Sequence, residues 1–230
     1  MAEISIIIPT LNEQEGIEHF LQPLQLLRPH CELILVDGGS DDNTIALAQP
    51  YVDEVLYSGS GRAIQMNVGA AMASAPLFLF LHADTLLPEN ALQQIEYANK
   101  NHYLWGRFDV NLTGKHILLK LVSTLMNSRS RYTGIATGDQ ALFIQKSLFE
   151  TLDGFADIAL MEDIELSTRL KKQAKPYCSK SKVITSGRRW IEFGVIKTIS
   201  LMWWLRLRYF LGADPEHLAQ LYKKGKFWIT

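Results

Sequence analysis

Short apolar runs alternate with stretches of helical spacing through residues 4–100. Residues 4–8 are mostly isoleucine, as expected of a strand buried on both faces, and Pro9 is expected to end it. Residues 13–27 put Ile17, Phe20, Leu21 and Leu24 on one side, the spacing of an amphipathic helix. A second buried strand, 33–36, runs into Asp37-Gly38-Gly39-Ser40, where Ser40 or Asp41 is placed to cap a helix reaching Gln49. Residues 53–57 read as a weaker third strand and 62–73 as a helix of small residues. A fourth strand, 77–81, ends at His82-Ala83-Asp84, and Pro88 opens a helix over 88–100. Strands alternating with helices predict an α/β domain with a mostly parallel central sheet. Right-handed crossovers then line up the strand C-termini along one edge, where ligands of such sheets bind.

The pattern changes after residue 104. Strands are predicted over 105–110 and 141–145, an amphipathic helix over 115–127, and a helix over 162–173 with acids at its start and Lys171-Lys172 at its end. Residues 191–211 are apolar on most sides, with charges only at Glu192, Lys197, Arg206 and Arg208. Such a segment suits a membrane interface, the protein core or a homodimer contact equally. Lys115 and Lys120 on 115–127 would belong to the same surface in the membrane case. A short helix over 214–222 closes the chain, opened by Pro215. No Pro/Ser-rich linker divides the sequence, so the expected organisation is one domain over 1–190 with a helical extension, not an independent domain, over 191–230.

Composition narrows the class. The chain of 230 residues is 47% hydrophobic and 20% charged, which excludes a disordered chain or a disulfide miniprotein. A net charge of −1 argues against a nucleic-acid binder. The charge is uneven: residues 1–60 carry ten acids and one base, a net −9, which leaves +8 for the remainder. The basic half suggests an anionic substrate or a membrane surface. Two cysteines without a CxxC pairing suit a reduced, cytoplasmic setting, and Met1-Ala2-Glu3 has no basic leader before the first strand. No G-x-G-x-x-G follows the first strand and no G-x-x-x-x-G-K-[ST] occurs, so neither common phosphate loop is present.

Four segments in order, Ile7-Ile-Pro-Thr-Leu-Asn-Glu13, Val36-Asp-Gly-Gly-Ser-Asp-Asp42, Leu81-His-Ala-Asp-Thr85 and Met161-Glu-Asp-Ile-Glu165, resemble glycosyltransferase family 2, whose fold is GT-A, the nucleotide-diphospho-sugar transferase fold. Gly61-Arg62-Ala63-Ile64-Gln65-Met66-Asn67 and Gly138-Asp139-Gln140 resemble a small bacterial subgroup of it. The resemblance implies a metal-dependent, inverting transfer from a nucleotide-sugar, a UDP-sugar by preference or else a GDP-sugar, to a hydroxyl acceptor that is lipid-linked or small. It implies action in the cytoplasm; a peripheral contact on the inner face of the membrane through 191–211 is one of the readings that the apolar segment itself leaves open. Pro9, Thr10 and Glu13 would line the base and ribose pocket, and Asp37 would bond the base or ribose. Asp84 keeps the last carboxylate of the family's Asp-x-Asp and would hold Mn²⁺ or Mg²⁺. His82 replaces the first; it contacts the diphosphate, binds Mn²⁺ or caps the strand end. Arg62 could pair with phosphate, and Gln65 and Asn67 could read the base edge. Glu162-Asp163 matches the catalytic pair, with Asp163 as base. Asp139 and Gln140, and the trio Arg188, Arg189 and Trp190, would meet the sugar or acceptor. Ser186 stands where processive members carry glutamine, which argues against polymerisation.

Two other classes fit parts of the pattern. A nucleotidyltransferase would share the layout and the metal chemistry, but residues 9–13 lack the glycine its first loop needs. A non-catalytic sugar-nucleotide-binding protein would explain His82 in the metal motif.

Overall fold

The computed structural model describes residues 2–114 and 116–228; Met1, Lys115, Ile229, Thr230 and the side chain of Arg189 fall outside that description. Strands β1 (Ile4–Thr10), β2 (Cys31–Asp37), β3 (Glu54–Tyr57) and β4 (Leu77–Phe80) form a parallel half-sheet in the order β3-β2-β1-β4. β1 is buried throughout and runs through Pro9 instead of ending there. The reason is local: β4 stops opposite Ile7, so the N–H that proline lacks falls where no neighbouring strand remains. Thr10, Asp37 and Tyr57 lie side by side at the C-terminal edge.

β5 (Thr85–Leu86), β6 (Trp105–Leu112), β7 (Phe143–Gln145) and β8 (Tyr177–Thr185) complete an eight-stranded sheet in the order β3-β2-β1-β4-β7-β6-β8-β5. This half is mixed: β7 is antiparallel to β4 and β6, β8 is parallel to β6, and β5 is antiparallel to β8. β7 therefore begins at the edge where β1 and β4 end, and the Phe80 N–H donates to Leu142 O at 2.9 Å. β8 ends at that same edge.

The helices are α1 (Ile17–Leu24), α2 (Thr44–Ala48), α3 (Arg62–Met72), α4 (Ala91–Lys100), α5 (Leu118–Thr133), α6 (Lys146–Thr151), α7 (Glu162–Gln173), α8 (Arg188–Glu192), α9 (Val195–Phe210) and α10 (Pro215–Lys224). α1 begins later than the hydrophobic spacing predicts, because residues 13–16 form a turn closed by the Gly16 N–H on Glu13 O. It ends early because Pro23 brings no N–H, and a 3₁₀ turn follows. Alternation along β1 divides the core. Ile4, Ile6 and Ile8 pack with α1 and α4 on one face, and Ile7 packs with α3, α6 and α7 on the other. α5 extends past the predicted end to Gly134, whose φ of 69° closes it. α9 buries one stripe, Val195, Thr198, Leu201 and Leu205. Leu201 and Leu205 pack with Leu218 and Leu221 of α10 against Met161 and Ile164 at the start of α7.

Gly106, the second residue of β6, has no space for a side chain: a Cβ there would lie 2.4 Å from Phe143 Cζ and 2.6 Å from the Tyr177 carbonyl oxygen. Gly106→Ala should therefore lower stability by about 1–3 kcal/mol. Urea unfolding should show an earlier midpoint with an unchanged slope; a wild-type midpoint would mean that β6 and β8 part without cost.

Candidate active site

The loop after β2 is shaped by Asp37. Its carboxylate accepts from the N–H groups of Gly39 (2.9 Å) and Ser40 (2.8 Å) and from the Ser40 hydroxyl (2.5 Å). The residue is 1% exposed, lines neither of the cavities described next, and holds the turn. Gln65 braces the same edge, its Nε2 donating to Thr10 O and Val36 O at 2.8 Å each. Asn67 points away from the edge and holds the Phe155 backbone through both ends of its amide, at 2.8 and 2.9 Å. Gln140 is fully buried, with its oxygen accepting from the Thr137 N–H at 3.2 Å. These amides bond backbone, and so fix the loops that carry other residues.

Those loops enclose a cavity of about 490 Å³ lined by Pro9, Thr10, Glu13, Arg62, Gln65, His82, Asp84 and Glu162, with Tyr222 of α10 on its far wall. A second cavity of about 370 Å³ adjoins it and shares Arg62, His82, Glu162 and Tyr222. It adds Asp139, Asp163 and Trp190, together with Arg129 and Arg206. A third hollow of about 500 Å³ lies on the other side of Asp84, where Glu13 and Arg188 approach at 4.0 Å.

Charge is concentrated where the first two cavities meet. Burial opposes the charge on Arg62, but Tyr222, Glu162, Asp139 and Asp84 surround the guanidinium and hold its pKa above the ordinary value. The same crowding acts on the acids. Asp139 is raised to about 6 by burial and by Asp84 and Asp163, against the pull of Arg62 and Arg206. Its side chain nevertheless keeps 41% exposure to the cavity, so the site is concave and open to ligand. Glu162 is raised by burial and by Asp163. Burial, with Arg62 beside it, lowers His82 to about 3, so the imidazole is neutral at neutral pH. Its Nδ1 lies 3.8 Å from Asp139 Oδ1. Gly138 makes this approach attainable, since a Cβ there would stand 2.3 Å from His82 Cε1.

Asp163 is positioned by backbone. Its Oδ2 accepts from the Gly138 N–H at 2.8 Å and its Oδ1 from the Ile164 N–H at 2.7 Å. Just before the pair, Met161 is left-handed at φ 73°, a strained state for a residue with a side chain. Asp84 is exposed and accepts from the neighbouring Thr85 hydroxyl at 3.2 Å, and its carboxylate is open to a ligand. Among the described residues no three His, Cys, Asp or Glu side chains gather as a metal cage. The donor set fits an ion held by one carboxylate and completed by phosphate and water, a common arrangement for Mg²⁺. Arg188 sits in the third hollow, Trp190 in the second cavity, and the predicted contact of Arg189 lies outside the described residues. Sequence reasoning missed Arg129, Arg206 and Tyr222. Arg206 left one trace, a charge next to Leu205 on the buried side of an apolar helix.

A sheet edge carrying two joined cavities, with acids around an arginine, is the architecture of a group-transfer enzyme. The glycosyl transferase family 2 profile matches residues 5–149, and the chain belongs to that family. It is 29% identical over 130 residues to the poly(ribitol-phosphate) beta-N-acetylglucosaminyltransferase TarP of Staphylococcus aureus, covering 51% of this chain and 40% of TarP. It is 26% identical over 221 residues to the undecaprenyl-phosphate 4-deoxy-4-formamido-L-arabinose transferase of Yersinia pestis, covering 90% of this chain and 65% of that one. The chain thus covers 40% of the length of the one relative and 65% of the other, less than two-thirds of either. Among solved structures, S. aureus TarS 1-349 bound to UDP-GlcNAc superposes with a TM-score of 0.65 at 20% identity, over 81% of this chain and 58% of that one. The mannosyltransferase PcManGT of Pyrobaculum calidifontis, bound to GDP-Man and Mn²⁺, gives 0.59 at 19%, over 79% and 56%. The fold is GT-A.

His82 makes stability depend on pH in a definite direction. In the unfolded chain it titrates near its ordinary 6.5, and in the fold near 3. Between those values the unfolded state binds the extra proton, so the contribution of His82 is complete above pH 6.5 and is lost as pH falls toward 3. Asp139, raised from 3.8 to about 6, acts oppositely: its contribution is present below 3.8 and is lost as pH rises through 6. Urea unfolding of wild type and His82→Gln in EDTA separates the two. The variant should gain on wild type by about 2 kcal/mol between pH 7 and pH 5. A constant difference would mean that His82 titrates normally.

Proposed function

We propose that the chain transfers a sugar from a nucleoside-diphosphate sugar to a hydroxyl acceptor, in a single inverting displacement assisted by a divalent metal. The observation that carries this reading is the sharing of Arg62, His82 and Glu162 by two cavities. A donor in the first would present its diphosphate and sugar directly to an acceptor in the second. The nucleoside would lie against Pro9, Thr10 and Glu13, and Arg62 would pair with the diphosphate. Asp163 would take the proton of the acceptor hydroxyl. Backbone N–H groups fix its orientation and leave lone pairs on both oxygens for that proton. The acceptor oxygen then bonds the anomeric carbon from the face opposite the leaving group, and the carbon–oxygen bond to the diphosphate breaks with its electron pair. Asp139 would meet a hydroxyl of the sugar. Asp84, with His82 beside it, would hold Mg²⁺ or Mn²⁺, which supplies charge neutralisation to a departing diphosphate. UDP-GlcNAc bound to TarS favours uridine, and GDP-Man with Mn²⁺ bound to PcManGT keeps guanosine open.

We also infer a peripheral membrane contact. Ile196, Trp203, Leu207 and Phe210 are exposed along α9, Leu121 and Leu125 along α5, and Lys120 and Lys197 accompany them. No helix among the described residues is long and apolar enough to cross a membrane, so this contact would lie in the interface plane. The undecaprenyl phosphate in the name of the Yersinia relative agrees with a lipid-linked acceptor.

Thermal shifts with UDP, GDP, CDP and dTDP, each with and without Mn²⁺, test the donor site. One nucleotide at about 100 times its Kd should stabilise by roughly 2.7 kcal/mol, and Asp84→Asn should abolish the metal-dependent part. Asp163→Asn should keep that shift while slowing donor hydrolysis or transfer by about 10²–10⁴-fold. Absence of any shift would sink the donor site, and hydrolysis unaffected by Asp163→Asn would remove the base. For the membrane contact, wild type should sediment with phosphatidylglycerol vesicles and the double variant Leu207→Ser, Phe210→Ser should not; equal sedimentation would end that reading.

A further inference from the structure

The second cavity holds two guanidinium groups that Asp163 and Asp139 attract from a distance but that no acid among the described residues pairs directly. Arg129, from α5, and Arg206, from α9, both line it, close enough for each charge to act on the other. Among the described residues neither guanidinium makes an ion pair or a hydrogen bond, and Arg129 Nε and Nη2 are buried with no partner. Burial and the approach of Arg206 lower Arg129 to about 10; burial lowers Arg206 too, against the pull of Asp163 and Asp139. The acids nearby have other work. Asp163 holds two backbone N–H groups, Asp109 takes Arg107 and Arg131, and Glu162 and Asp139 surround Arg62. Desolvated guanidinium groups without partners are costly, and such a site is maintained only when something else meets the charge.

The rest of the cavity says what accompanies that charge. Its walls include Met126, Met202 and Trp190, and Leu125 and Trp203 reach it while remaining exposed. A ligand that satisfies this site is anionic at one end and apolar at the other. Two guanidinium groups call for more than one negative charge, and a phosphomonoester carries about −1.5 to −2 at pH 7. Arg129 and Arg206 line the second cavity and not the first, where the donor is placed.

We propose that the second cavity is a phosphate-binding acceptor site, with Arg129 and Arg206 holding the phosphate of an amphipathic acceptor and the Trp190–Trp203 wall holding its apolar part. The proposal deepens the transferase reading and rests on it for the ligand's role as acceptor. The phosphate comes from a lipid or from a soluble phosphorylated molecule, and the site chemistry is the same.

Calorimetric titration of the full chain tests it, with dodecyl phosphate below its micellar concentration, glycerol 3-phosphate and uncharged dodecyl maltoside as probes, each with and without saturating nucleoside diphosphate. Wild type should bind dodecyl phosphate at least about tenfold tighter than dodecyl maltoside, a difference of about 1.4 kcal/mol. Arg129→Gln and Arg206→Gln should each lose about tenfold, whereas Lys180→Gln, an exposed charge on β8 outside the cavity, should not. Arg129→Gln should melt at or above the wild-type temperature, because a buried unpaired charge is removed; if it failed to fold, Arg206→Gln and Arg129→Lys would carry the comparison. Glycerol 3-phosphate binding within a few-fold of dodecyl phosphate would assign a soluble acceptor, and a preference of tenfold or more for dodecyl phosphate a lipid; both uphold the site. Equal binding of dodecyl maltoside, wild-type affinity in both arginine variants, or displacement by nucleoside diphosphate would overturn it. Arginine-dependent phosphate binding in a chain that binds no nucleotide would instead retire the transferase reading and leave the anion site standing.

Discussion

An imidazole ring occupies the space where any residue but glycine at position 138 would carry its side chain. That close packing governs the site. It depends on the reversal of β7, which starts at the edge where β1 and β4 finish and so delivers residues 138–140 to the end of the parallel half-sheet. The same Gly138 gives its N–H to Asp163, so one small residue joins the His82 loop to the start of α7. Asp139 then reaches His82, and the cavities for the two reactants share a wall. A sheet parallel throughout would have placed the residues before β7 at the opposite edge.

Electrostatics follow from that enclosure. The acids of the site are held near one another by backbone geometry, and their mutual repulsion is met chiefly by Arg62, which Tyr222, Glu162, Asp139 and Asp84 surround. His82 answers the same surroundings by staying neutral. The basic surplus of residues 61–230 is in part a solvated surface, such as Lys180 and Lys182 on β8. In part it is the half-buried pair Arg129 and Arg206, which line the second cavity together with Asp139 and Asp163.

The strand ends that carry Thr10, Asp37 and His82 were legible because continuous apolar runs mark strands buried on both faces. β8 was not. It alternates buried Ser179, Val183 and Thr185 with lysines turned to solvent, and its chemistry reads as a basic tract. Without β8, the partner of β5 and the position of Arg188 were out of reach. The amides show a different limit. Gln65, Asn67 and Gln140 stand in the right segments to read a ligand, yet each bonds backbone instead, and the choice between those partners is made by loop geometry far along the chain. Arg129 was hidden for the converse reason: a cation on a helix reads as surface until α9 is packed across it.

The pairing of β5 with β8 has a consequence for how the molecule is assembled. Thr85 donates its hydroxyl to that of Thr185 at 2.9 Å, closing a chain separation of 100 residues beside Asp84. The parallel half-sheet can form from contacts within its own segment, but the far side of the loop bearing Asp84 has no strand to rest on until β8 has docked on β6. Contacts of such long separation form late, because the entropy of closing the intervening chain is lost before they return anything. The open carboxylate of the first cavity is therefore among the last groups to take its place, and the chain keeps this site unfinished until its second half is folded.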